Sequence, residues 1–167
     1  SSLNTQKFKF SHFKLLLKKF YHIQRYSSPC KNRTNQSLLP ALLLLKNAKY
    51  LTSLSIEVSL NQLPRRFFSL LHLSKIKTLH LSHIPHSADE TEVSVNLSKY
   101  LPSTIENLGL RAYGSTATNL RFPLSIKHLN NLEKLKLGMS LSIKEFEGII
   151  RLIQDPEKLK SLLFNIN

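Results

Sequence analysis

The sequence predicts an α/β fold of about five repeated units, each a short strand followed by a helical or turn-like connection, with the strands aligned in one parallel sheet. Three observations carry this. The 167 residues include 34 leucines, about twice the usual share of a globular chain. The spacing apolar-x-x-apolar-x-apolar begins at Leu51, Ile76, Ile105, Leu132 and Leu159, in steps of 25, 29, 27 and 27 residues. A regular period of that size is the signature of a stacked-repeat architecture. The stretches between the motifs carry helix signals.

Residues 12–26 read as an amphipathic helix. Phe13, Leu16, Leu17 and Phe20 share one face, while Lys14, Lys18, His22 and Arg25 lie on the other, with Lys19 adding charge. Ser27-Ser28-Pro29-Cys30 ends it, and 31–37 is a polar linker. Residues 1–37 are thus expected to be a basic helix and linker, and 38–167 the repeat domain, with helical structure over 12–50 capping its N-terminal end. A helix over 40–50 is apolar on most of its surface and expected to be buried.

Strands are expected near 51–57, 76–82, 105–111, 132–138 and 159–165. Side chains alternate along a strand, so the fourth and sixth motif positions point inward together. The outward set is then Ser53, Ser55, Glu57, Thr78, His80, Ser82, Asn107, Gly109, Arg111, Lys134, Lys136, Ser161, Leu163 and Asn165. A helix over 63–73 puts Leu63, Phe67, Leu70 and Leu71 on one face, with Pro64 suited to its first turn. Short helical turns are expected at 97–100 and 123–129. Ser142 and Glu145 form a capping box. Phe146, Ile149, Ile150 and Ile153 then make an apolar helix face, stopped by Asp155-Pro156. Residues 84–96 and 115–119 read as loops.

The units Leu-Thr-Ser-Leu-Ser-Ile at 51, Ile-Lys-Thr-Leu-His-Leu at 76, Ile-Glu-Asn-Leu-Gly-Leu at 105, Leu-Glu-Lys-Leu-Lys-Leu at 132 and Leu-Lys-Ser-Leu-Leu-Phe at 159 resemble the strand half of a leucine-rich repeat. The step length resembles the longer, ribonuclease-inhibitor-like subclass. The family places Asn or Cys at the ninth position. Only Asn167 matches, and Ser59, Ile84, Tyr113 and Ser140 stand at the others, which implies less regular turns. The resemblance implies a curved solenoid, with strands on a concave side that binds a partner and helices on a convex side. The chain does not start with Met and stops within the fifth motif, so a fragment whose repeats continue is expected.

Charge is uneven. The formal net charge is +14, and residues 1–56 hold ten Lys or Arg and no Asp or Glu. A basic arm of that kind meets nucleic acid, an anionic surface or an acidic protein. A single cysteine, Cys30, excludes an internal disulfide framework and multi-cysteine metal sites. The longest apolar run, 38–45, is too short to span a bilayer, so no integral membrane segment is expected. There is no phosphate-binding glycine loop and no nucleophile elbow. His80, His83 and His86 recur at intervals of three, but helical spacing in a strand and turn does not converge on a metal.

The expected function is therefore non-enzymatic, without metal or cofactor: a module that binds a protein on its concave strand face. The alternatives are a nucleic-acid-associated or organellar protein acting through Lys14, Lys18, Lys19, His22 and Arg25, and a substrate-recognition subunit of a larger assembly. An intracellular, cytoplasmic location is expected, with the mitochondrion as the alternative.

Overall fold

The computed structural model describes residues 2–4, 24–28, 38–47, 50–84, 97–113, 126, 128–138, 143–152 and 159–164. Within them seven strands form one sheet: β1 (Ser2–Asn4), β2 (Arg25–Ser28), β3 (Ser53–Val58), β4 (Thr78–His83), β5 (Asn107–Ala112), β6 (Lys134–Gly138) and β7 (Ser161–Phe164). They lie in chain order and every neighbouring pair is parallel. Three helices accompany them: α1 (Leu38–Asn47), α2 (Arg65–His72) and α3 (Ile143–Leu152). Single 3₁₀ turns occupy Leu60–Gln62 and Leu97–Lys99.

The pairing aligns equivalent motif positions. Leu54, Leu79, Leu108, Leu135 and Leu162 stand opposite one another across β3 to β7, and so do Ile56, Leu81, Leu110, Leu137 and Phe164. A slip of one residue would turn every inward side chain outward, so the apolar alternation fixes this register. A second device locks it. At each strand entrance one carbonyl of the preceding strand accepts two successive N–H groups. Thr52 O accepts from Lys77 and Thr78, Lys77 O from Glu106 and Asn107, Glu106 O from Glu133 and Lys134, and Glu133 O from Lys160 and Ser161. Gln24 O does the same for Thr52 and Ser53. The connections stack as well: Thr104 Oγ1 donates to Ile76 O at 2.7 Å, and Asn131 Nδ2 to Ser103 O at 3.0 Å.

The core lies on one side of the sheet. Leu54, Ile56, Leu79, Leu81, Leu108, Leu110, Leu135 and Leu137 are buried there, together with Phe67, Phe68 and Leu71 of α2 and Ala41 and Leu44 of α1. In α2, Phe67 meets Phe68 edge-on at 5.5 Å, and Phe68 stacks obliquely on Tyr100 at 5.0 Å. Leu63 is buried just before the helix, whereas Leu70 is only half-buried.

Helix α2 starts badly. Pro64 sits at its N-cap in extended geometry and offers no side-chain acceptor, and Arg65 and Arg66 follow in a first turn without acid. Cations there oppose the helix dipole. Arg65→Glu is expected to stabilise the protein by about 0.3–1 kcal/mol, read as a higher urea midpoint at unchanged slope. An unchanged or lower midpoint would count against this account.

Several expectations are corrected. The helix over 12–26 does not extend to its proposed end: Arg25 and Tyr26 are in β2, paired in parallel with Ser53 and Leu54. Backbone pairing to an existing sheet edge outweighs the local helical periodicity there. The rest of the expected helix, residues 12–23, lies outside the described residues, as do the expected linker at 31–37 and the expected loops at 84–96, apart from Ile84, and at 115–119. The five expected strands exist but begin two residues later, because the first motif residue turns into the core before the strand starts. The helix over 40–50 spans Leu38–Asn47. Of the apolar face expected for α3, Ile149 is buried and Ile150 is 37% exposed, and Ile153 lies outside the described residues. Among the described residues, no helix is long and apolar enough to cross a membrane.

Candidate functional site

The second face of the sheet carries the outward residues. Ser53, Ser55 and Glu57 project from β3, Thr78, His80 and Ser82 from β4, Asn107 and Arg111 from β5, Lys134 and Lys136 from β6, and Ser161 from β7. All are partly or fully exposed and alternate with the core positions; Gly109, expected to face outward with them, is instead buried, with the His80 ring lying against it. Asn165, Lys14, Lys18, Lys19 and His22 lie outside the described residues. Arg25 is exposed on β2 and stands opposite Ser53. It therefore belongs to the same surface, continuing the row Ser53, Thr78, Asn107, Lys134 and Ser161 by one strand.

Polarity changes along the sheet. The outward positions of β3 and β4 carry small hydroxyls, one acid and one imidazole. Those of β5 and β6 carry Arg111, Lys134 and Lys136, and Leu163 on β7 is the apolar outlier at 55% exposure. Asn107 Nδ2 donates to Thr78 Oγ1 at 3.2 Å. The carboxylates just before β5 and β6 are already engaged: Glu106 by Lys77 at 2.6 Å and Glu133 by Lys160 at 3.0 Å. The Glu106 hydrogen bond, and then its charge, raise the Lys77 ammonium above its ordinary range.

Two glycines shape this face. A Cβ on Gly109 would run into the His80 ring, 2.9 Å from Cε1 and closer still to Nδ1. A Cβ on Gly138 would stand 2.9 Å from Arg111 Cγ. His80 therefore lies across β5 and Arg111 across β6, each filling the place of a missing side chain. The Arg111 guanidinium also rests over the Tyr113 ring, 4.5 Å from its centre. None of this contact pattern follows from composition.

Burial pushes the His80 imidazole below the ordinary histidine range, and the Lys136 charge adds to the fall. The fold thus disfavours the protonated ring, and the unfolded chain takes up the proton first as pH drops. The stability present above pH 6.5 is lost progressively below it. A proton-NMR titration should give His80 a midpoint under 6.5, and Lys136→Gln should raise it part of the way. A midpoint at or above the ordinary value would contradict the assignment.

His83 is placed differently from expectation. It is the last residue of β4 rather than part of the turn, and it points into the core, fully buried. Its Nδ1 accepts the Leu60 N–H at 3.1 Å. His80 and His83 thus face opposite sides of one strand and cannot converge. Among the described residues, no group of three or more His, Cys, Asp or Glu is placed to hold a metal ion. Comparison with protein families, with characterised proteins and with solved structures finds no match for this chain.

Sequence reasoning missed β1, β2, Gly138 and Tyr113. For β2 a partial signal exists: Ile23-x-x-Tyr26 repeats the first and fourth motif positions, but Ser28 stands where the sixth should be apolar.

Proposed function

We propose that the chain is a leucine-rich repeat solenoid and a non-enzymatic module that binds a protein on the outward face of its sheet. The repeat reading is supported by the five strand entrances that share one hydrogen-bond pattern and by equivalent residues paired strand after strand. The binding reading is carried by one observation: among the described residues, the outward face is accessible across β3 to β7 and polar but for Leu163, while the buried core, with α1 and α2, lies on the other side. A parallel sheet normally has both faces covered, so a polar face that no described residue covers is fitted to a partner.

The test is site-specific photo-crosslinking of the full chain in native extract. A benzophenone side chain at Thr78, on the outward face, is expected to capture a discrete protein, and one at Ser69, exposed on α2, is not. Capture from Ser69 alone, or from neither position, would sink the reading. The absence of acid from residues 1–56 favours a second reading, in which Lys14, Lys18, Lys19, His22 and Arg25 bind nucleic acid. A crosslinker at Arg25 that captured nucleic acid, lost steeply with salt, would favour it.

A further inference from the structure

We infer that the outward face of β6 recognises an extended acidic peptide segment, held by a row of three cations: Lys134, Lys136 and Arg111. This rests on the reading that the outward face binds a protein.

Lys134 and Lys136 are alternate residues of β6, both exposed on the outward face. The next place in that row belongs to Gly138, which has no side chain. Arg111 stands opposite Gly138 in the register, and its Cγ lies where a Gly138 side chain would begin, 2.9 Å from the place of the missing Cβ. Tyr113 holds the guanidinium from beneath. Lys134 and Lys136 thus stand one repeat apart along β6, roughly 6.6 Å, and the Arg111 stem, reaching over from β5, brings a third cation to the end of the row. An extended peptide presents same-side residues at the same repeat. Acidic residues at alternate positions of such a peptide would meet the three cations one for one.

The surroundings leave the row uncompensated. Among the described residues, none of the three is in an ion pair. Glu106 and Glu133 are taken by Lys77 and Lys160. Glu57 shares a ladder with Arg111 only across Ser82, and Arg111 leans the opposite way. Nucleic acid is disfavoured here because single-strand binding uses repeated aromatic platforms, whereas the outward positions of β3 to β7 hold no Phe, Tyr or Trp and the Tyr113 ring just past β5 is already covered by Arg111.

The test is fluorescence anisotropy with the full chain at low salt. The probe is a labelled peptide of alternating Ser and Glu. A peptide of the same composition with contiguous Glu, and an oligothymidylate, serve as comparisons. The alternating peptide is expected to bind tightest. Lys134→Gln/Lys136→Gln is expected to weaken it on the order of tenfold, as for the loss of two surface ion pairs. Arg65→Gln/Lys75→Gln, the same charge change on the helix side, should have little effect.

Gly138→Ala keeps every charge but evicts the Arg111 stem, and should weaken binding roughly threefold, with the thermal melt reporting that the fold persists. Equal loss in the two double variants would mean bulk charge attraction and overturn the proposal. So would absence of binding, tighter binding of the oligothymidylate, or unchanged affinity in Gly138→Ala. If the peptide fails while Thr78 still crosslinks a protein, only the acidic segment falls. If both fail, the binding face itself is wrong.

Discussion

Phe67→Ala is expected to destabilise the protein by about 3–5 kcal/mol. Phe67 is fully buried, at 0% exposure, and is the largest of the fully buried side chains. With Phe68 and Leu71 it is one of three α2 side chains buried in the core that also holds the inward leucines of the sheet. Its removal forfeits the transfer free energy of a ring and leaves a cavity that edge-on Phe68 cannot fill without giving up Tyr100. A domain of this size has only about 5–15 kcal/mol to lose, so the variant should be largely unfolded at moderate urea. Arg66→Ala, one residue earlier and exposed, should stay within about 0.5 kcal/mol of the parent. Equal effects at 66 and 67 would show that α2 does not pack as described.

His83→Leu should cost about 1–3 kcal/mol, although it replaces a polar core residue by an apolar one. The reason is the Leu60 N–H. Leu60 is fully buried, and its backbone donor is accepted by His83 Nδ1 at 3.1 Å. Leucine fills the space and removes the acceptor, leaving a desolvated donor without a partner. An accepting Nδ1 carries no proton, so the neutral ring holds its proton on Nε2. His83→Asn retains an acceptor on a shorter side chain and should recover part of the loss. Urea unfolding measures both, and hydrogen exchange at the Leu60 amide should accelerate in the leucine variant. An unaltered exchange rate would show that the bond contributes nothing.

These two residues mark the boundary of what could be read in advance. Phe67 was legible: it recurs with Leu63 and Leu71 at helical spacing, and burial follows from that period. His83 was not. It continues β4 inward at a position where β3 has Val58 and β5 has Ala112, and an imidazole in that column reads as a turn residue until its partner is seen. The partner lies 23 residues away in sequence, in a 3₁₀ turn of the preceding connection.

The outward face shows the same division. The identities of its residues followed from alternation alone. That the Arg111 stem crosses to Gly138, on the strand of Lys134 and Lys136, did not, because it depends on a missing Cβ on the neighbouring strand.

The sequence by itself determined the alternation within β3 to β7, the inward and outward sets, and the equivalence of the five units. Those are properties of period two and of a spacing repeated along the chain. Only the tertiary structure decided that β1 and β2 extend the sheet, that Arg25 lies on a strand, where each strand begins, and which outward side chains lean onto a glycine. Strand pairing and side-chain direction are set by backbone groups and neighbours more than twenty residues away. A local pattern such as Arg25-Tyr26-Ser27-Ser28 is compatible with several conformations until an edge such as that of β3 supplies its hydrogen bonds.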